Sequence, residues 1–252
     1  MTDSHRSAIL FGPAGQLGPI WKEALQLGQY RVIGAGLSES REIAFPGKEG
    51  EVFIRYDVRD PFPPELIEEL KNSNIEHAVV NSGVDSLPGS TAGGISDFSI
   101  DSWKEIFDVN VFGVVNVINE LIKHLETPPN ITLIGSMYTN LSPRLDLYSH
   151  FDEGRGSIKH PAYSASKTAL LGVLKQYSTH LATRGIRINM LSPGAVAGNQ
   201  DTTFVKKIQN EIPIGRLANS QELVSALSFL VNPSNSYLTG QEIRIDGGYS
   251  AW

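Results

Sequence analysis

AILFGPAGQLGPIW, residues 8–21, sets a short apolar run directly against Gly12, Gly15 and Gly18 and then opens a longer amphipathic segment. A strand, a glycine turn and a helix in that order form the first unit of a nucleotide-binding α/β sheet. Glycine permits the tight turn and lets the main chain approach a pyrophosphate, whose charge the N–H groups and positive end of the following helix offset. An ordinary glycine-rich turn carries the same letters, and position after the first strand is what favours the phosphate reading. Gly12, Gly15, Gln16, Leu17 and Gly18 are therefore candidate cofactor contacts.

Outward from this unit, short apolar runs alternate with segments of helical periodicity, the signature of βαβ units. Strands are predicted at Ser7–Phe11, Arg31–Ala35, Val52–Tyr56, His77–Asn81, Ile131–Gly135, Ile186–Leu191 and Glu242–Ile245. Helices are predicted near 16–28, 63–72, 101–126, 162–184 and 220–231, the last with Asn219 and Ser220 as caps and Glu222 in its first turn. The expected fold class is α/β: a Rossmann-type, doubly wound, seven-stranded parallel sheet with helices on both faces, one domain over 1–252. Loops at 82–99, 136–161 and 193–203 leave the C-terminal ends of strands, where open α/β sheets bind ligands.

Composition narrows the function classes. The 252 residues are 40% hydrophobic and carry a formal charge of −6, and no run of Lys or Arg offers a surface for nucleic acid. No cysteine is present, which removes disulfides, thiolate metal sites and a cysteine nucleophile. No apolar stretch approaches the roughly 18–20 residues of a membrane span, so a cytoplasmic protein with no membrane partner is expected. The six histidines are scattered at 5, 77, 124, 150, 160 and 180 without an H-E-x-x-H, and no metal site is expected. The Ser136 region reads I-G-S-M-Y, not the G-x-S-x-G of a serine hydrolase.

The end of the second strand, RVIGAGLSES (31–40), bears on cofactor choice. Many NAD enzymes carry there an acid for the ribose hydroxyls, whereas this chain has Gly36. Ser38 and Arg41 would contact a 2′-phosphate, opposed by Glu39 and Glu42, and the balance favours NADP over NAD. Asp57 in IRYDVRD (54–60), with Val58 beside it, is a candidate for the adenine, although an Asp ending a strand is as often a turn former.

HPAYSASKTALL (160–171) places Tyr163 and Lys167 four positions apart, on one helix face. A phenol titrates at about 10, and an adjacent ammonium favours its phenolate, so the pair suits proton exchange with a substrate oxygen during hydride transfer. Ser136 in NITLIGSMY (130–138) stands just beyond a strand, and Asn110 in DVNVFG (108–113) is a polar residue inside a helix. Packing, a turn and a solvated face are the ordinary explanations for each of these residues taken alone.

Together with VVNSG (79–83), INMLSPG (188–194) and LTGQEIRIDGG (238–248), these motifs make the chain resemble the short-chain dehydrogenase/reductase family over nearly its whole length. The resemblance implies that Ser136 orients substrate, that Tyr163 is the general acid/base, and that Lys167 lowers the tyrosine pKa and binds the nicotinamide ribose. It further implies that Asn110 holds a relay water by perturbing its helix and that Asn81 supports the sheet. Ser82, Gly83, Pro193, Gly194 and Val196, with Tyr163 and Lys167, complete the cofactor contacts. Homotetramers or homodimers are the assemblies it implies. A dinucleotide-binding regulator without turnover remains the rival from another class, although binding alone does not require a proton relay.

Three departures qualify the resemblance. The glycine spacing in 11–18 is nearer to the longer, sugar-nucleotide-modifying branch. Gly198, in SPGAVAGNQDTTF (192–204), stands where a Thr commonly contacts the nicotinamide amide. Ser136 and Tyr163 lie 27 positions apart (163 − 136), about twice the usual separation, which leaves a polar insertion over 137–161. Combined with SPGAVAGNQDTTF and the terminal DGGYSAW (246–252), this insertion makes the chain resemble reductases of bacterial surface-polysaccharide and nonulosonate pathways. It implies a sugar or sugar-nucleotide substrate, with Asn199, Gln200, Thr202, Thr203 and Phe204 on a mobile loop, against the alternative of a 3-oxoacyl-carrier-protein or other small-carbonyl reductase.

Overall fold

Alternation along each strand sends successive side chains to opposite faces of the sheet, and a strand buried on both faces must be apolar throughout. The computed structural model, which describes residues 6–37, 45, 52–85, 95–150 and 159–251, meets this condition from its first element. In β1 (Arg6–Phe11), Ile9 and Phe11 enter one core while Ala8 and Leu10 enter the other. The remaining strands are β2 (Arg31–Gly36), β3 (Val52–Arg55), β4 (Asn74–Val80), β5 (Asn130–Ile134), β6 (Ile188–Pro193) and β7 (Glu242–Ile245). They form one parallel sheet in the order β3-β2-β1-β4-β5-β6-β7.

Helices cover both faces. α1 (Gly18–Leu27) joins the core that Leu223, Leu227 and Leu230 also enter. The opposite core takes Leu66 and Leu70 of α2 (Pro64–Asn72) together with Val114, Val117, Ile118 and Leu121. The helix predicted over 101–126 is interrupted: α3 (Ile100–Phe107) passes into a π-helical turn, Asp108–Gly113, before α4 (Val114–His124). A π turn carries one extra residue per turn and turns a side chain inward, here that of Asn110, which is fully buried. Beyond the single turn α5 (Leu145–Tyr148) runs α6 (Pro161–Ala182), with Pro161 in its first position and His160 as its cap.

The loop predicted over 193–203 ends in a second correction. Thr202, Thr203 and Phe204 open α7 (Thr202–Glu211), whose first turn is capped by Asp201. Phe204, Val205 and Ile208 pack with Met137, Tyr138 and Leu147 in a third cluster. The final helix, α8 (Ser220–Val231), begins with the expected cap, Asn219 and Glu222 exchanging hydrogen bonds as a capping box. Strand order reverses between β1 and β4, which opens a crevice at their C-terminal ends, the usual ligand position in such sheets.

Candidate active site

Two clefts meet above that crevice. The first, of about 760 Å³, is lined by Gly12, Gly15, Gly36, Asp57, Val58, Asn81, Ser82 and Gly83. The second, of about 860 Å³, is lined by Gln16, Leu17, Ser136, Tyr163, Pro193, Gly194 and Val196. Asp85 borders both. The sequence candidates thus fall into two adjoining sets, apart from Gly18, Asn110 and Lys167, which line neither cleft. Ser38 and Arg41 lie outside the described residues.

The glycine loop is shaped by close packing. Gly12 has φ +72°, and a Cβ there would lie 2.8 Å from the Ser82 backbone, so glycine alone fits. At Gly18 a Cβ would stand 1.9 Å from the Pro13 carbonyl oxygen. Its role is to close the turn, because its N–H already donates to the Gly15 carbonyl at 2.8 Å. Asn81 ties this loop to β4, donating to the Gly12 carbonyl (2.7 Å) and accepting from the buried Trp21 indole (2.8 Å).

Asp57 lines the cleft, but its carboxylate is bound by its own neighbour. Arg59 donates its backbone N–H at 3.0 Å and its guanidinium at 2.9 and 2.5 Å. The Arg59 side chain holds the Asp57 pKa below the usual carboxylate value. The turn-forming role thus describes this acid, and Arg59 is a cation at the cleft that sequence reasoning did not single out.

The reacting groups converge where β5 meets α6. The Ser136 hydroxyl caps the short turn Met137–Thr139, accepting from the Tyr138 N–H at 3.2 Å, and lines the same cleft as Tyr163. Lys167 is buried behind the tyrosine, its Nζ 5.9 Å from the ring centroid, and donates to the Ile134 carbonyl at 3.0 Å. Gly83 leaves room for this lysine, since a Cβ there would sit 3.4 Å from both Nζ and the Asn110 Oδ1.

The expected lowering of the tyrosine pKa is not found. Burial raises Tyr163 above its ordinary value, against the opposing pull of a different ammonium, Lys159, whose Nζ lies 4.6 Å from the Tyr163 ring centroid. Burial also draws Lys167 down to about 8, with the charge of Asp85 opposing.

Asn110 acts through its side chain. The carboxamide brackets Val84, accepting from its N–H at 2.7 Å and donating to its carbonyl at 2.9 Å, and also donates to the Ser166 hydroxyl at 3.0 Å. It thereby fixes the exit of β4 against α6. Glu242 of β7 performs a similar function on the other side of Ser136. One carboxylate oxygen accepts from Thr139 (2.5 Å) and Ser192 (2.7 Å), and the other from Arg244.

A dinucleotide fits these residues on two observations. The exposed Gly15 and Gln16 precede a helix with no side-chain cap and no acid in its first turn. The buried Oε1 of Gln200, on the second cleft, has no hydrogen-bond donor in the protein, while its Nε2 donates to the Val196 carbonyl at 2.7 Å. An orphaned buried acceptor is costly unless a ligand supplies the donor. Gly198 cannot replace the missing Thr contact, having no side chain, and a Cβ there would lie 2.6 Å from Gln16 Nε2. Among the described residues no three His, Asp or Glu side chains converge as metal ligands.

Comparisons with known proteins agree with this geometry. A family model described as Enoyl-(Acyl carrier protein) reductase matches residues 36–250. The uncharacterized oxidoreductase YmfI of Bacillus subtilis is 30% identical over 243 residues, 90% of this chain and 98% of that protein. The 3-oxoacyl-[acyl-carrier-protein] reductase FabG of Thermotoga maritima is 28% identical over 211 residues, 81% of this chain and 78% of its own length. The chain spans 43% of the length of the uncharacterized short-chain type dehydrogenase/reductase y4vI of Sinorhizobium fredii, at 26% identity over 97% of this chain.

Two solved structures share the fold. A short-chain dehydrogenase from Leptospira borgpetersenii with bound NAD+ superposes with a TM-score of 0.82 at 21% identity, covering 98% of this chain and 93% of that one. A gluconate 5-dehydrogenase from Burkholderia cenocepacia in complex with NADP and tartrate gives 0.81 at 22%, covering 99% and 96%. The chain belongs to the short-chain dehydrogenase/reductase family. As a class it is an NAD(P)-dependent oxidoreductase.

Proposed function

We propose that this protein interconverts a carbonyl and a secondary alcohol on a polar, sugar-type substrate, using Tyr163 as general acid/base. The observation that carries this reading is that Ser136 and Tyr163 line the second cleft together, with the Lys167 ammonium buried 5.9 Å from the tyrosine ring centroid. When bound, the nicotinamide supplies or accepts the hydride. The Ser136 hydroxyl would hold the substrate oxygen, and the Tyr163 hydroxyl would give that oxygen its proton in reduction or take it in oxidation. Gly12, Gly15, Gln16 and Leu17 would bind the pyrophosphate, and Val58 the adenine. Lys167 and the Gly83–Asn81 strand end would hold the ribose, with Pro193, Gly194 and Val196 against the nicotinamide.

NADP is the proposed cofactor over NAD, supported by the absence of an acid at Gly36 and Leu37 beside the first cleft. The sugar-type substrate is supported by the polar side chains that Tyr138, Tyr148, Lys159, Asn199 and Gln200 contribute to the second cleft. A cytoplasmic homotetramer or homodimer completes the reading, with Phe112, 60% exposed beside α4, as a surface for a second copy. Likeness to FabG favours one other substrate class, a 3-oxoacyl thioester.

The test follows nicotinamide absorbance with a panel of sugar and acyl carbonyl substrates. Tyr163→Phe is expected to lose at least about 10²-fold in kcat while its NADPH dissociation constant stays unchanged. Turnover that survives this substitution overturns the mechanism, and cofactor binding without turnover of any substrate favours a regulator. A melting temperature raised by NAD but not NADP overturns the cofactor assignment.

A further inference from the structure

Among the described residues, Lys159 is the only cation lining the second cleft, where the two acids are Asp85 and Asp201. Asp201 is engaged elsewhere, accepting from the Thr203 and Phe204 N–H groups and pairing with His150 at 2.8 Å. Lys159 pairs with Asp85. Only 16% of the Lys159 side chain is exposed, against 37% for Asp85. Its Nζ lies 4.6 Å from the Tyr163 ring centroid and 5.6 Å from that of Tyr138. Its charge therefore stands beside the proton-transferring residue, on the wall of the cleft.

We propose that Lys159 determines substrate specificity by binding an anionic group carried by the substrate a few bonds from the reacting carbon. The proposal rests on the assignment of Tyr163 to the reacting oxygen and names the chemistry at the other end of the same substrate. An ammonium has three N–H donors, and the Asp85 carboxylate occupies one side of it. A carboxylate or phosphate arriving from the cleft takes the others as charge-assisted hydrogen bonds, which are stronger than neutral ones. Asp85 keeps the lysine compensated in the empty cleft and tempers its attraction for the anion. A neutral polyol or an acyl chain would leave the buried ammonium without this added partner.

The two charges give opposite expectations, which a merely structural ion pair would not. Calorimetric titration of the NADPH-loaded protein compares D-gluconate, its neutral counterpart D-glucitol, and D-glucitol 6-phosphate. One of the two anions is expected to bind at least tenfold more tightly than D-glucitol, and which one does so identifies carboxylate or phosphate as the group. Lys159→Met is expected to abolish that preference, Lys159→Arg to retain it, and Asp85→Asn to strengthen it several-fold, with far-UV circular dichroism confirming a folded protein in each case. Equal binding of all three ligands, no binding of either anion, or a preference that persists in Lys159→Met overturns the proposal. Tyr163-dependent turnover of neutral substrates alongside such a result would leave the oxidoreductase reading standing alone.

Discussion

Asn110 holds Val84 by both of its backbone polar groups, accepting from its N–H at 2.7 Å and donating to its carbonyl at 2.9 Å. Val84 and Asp85 carry the first cleft onward from β4, so this bracket fixes part of the cofactor wall. Asn110→Ala would leave both backbone groups and the Ser166 hydroxyl without this partner in a fully buried place. Loss of about 2–4 kcal/mol of stability is expected, with about tenfold weaker NADPH binding. Urea unfolding and fluorescence titration measure the two effects. Unchanged cofactor affinity would restrict Asn110 to a role in folding.

Glu242 gathers the turn after Ser136 and the end of β6 onto one carboxylate, through Thr139 and Ser192, both wholly buried. Removing it strands two hydroxyls and an arginine. Glu242→Ala is expected to cost about 2–3 kcal/mol and to lower kcat through a displaced Ser136, with Glu242→Gln retaining most of both. If Glu242→Ala lowers stability but leaves kcat untouched, the network does not position Ser136.

What the sequence made legible is local. The glycine loop, the Tyr163–Lys167 spacing and the Asn219 capping box are patterns within one turn or one strand-to-helix step, and each takes its expected place. The α7 helix was also accessible, because Phe204, Val205, Ile208 and Ile212 form an apolar stripe at helical spacing behind an Asp cap. Its run of polar letters conceals that stripe. The π turn falls where the resemblance implied that Asn110 perturbs its helix, and at its end Gly113 packs so closely that a Cβ would lie 2.6 Å from Val58. The Asp85–Lys159 and Thr139–Glu242 pairs join residues 74 and 103 positions apart, and no periodicity records such meetings.

His77 offers a test of the sheet itself. It is 3% exposed, shares a hydrogen bond of 2.9 Å with Thr132, and burial draws its pKa from 6.5 to about 3. The folded state therefore favours the neutral ring, and between those two values the unfolded chain binds the extra proton. This contribution is full above about pH 6.5 and is lost as pH falls toward 3. Between pH 7 and 5 the native protein should lose about 2 kcal/mol more than His77→Gln, measured by urea titration. Parallel losses in the two proteins would remove His77 from the acid response.

Tyr163 and Lys167 set the last expectation, through opposite displacements with a shared cause. Burial raises the phenol and draws the ammonium down to about 8. Carbonyl reduction needs a protonated Tyr163 and a charged Lys167, and both conditions hold below about pH 8. In that direction kcat/KM, which reports the free enzyme, should be level through neutral pH and fall above about 8 as Lys167 loses its proton. Alcohol oxidation needs the phenolate, so its kcat/KM should rise with pH over the neutral range. Lys167→Met should reduce the reduction rate by about 10²-fold or more and move its alkaline limb upward to the titration of Tyr163 alone. A limb that stays near 8 in Lys167→Met would assign it to another group.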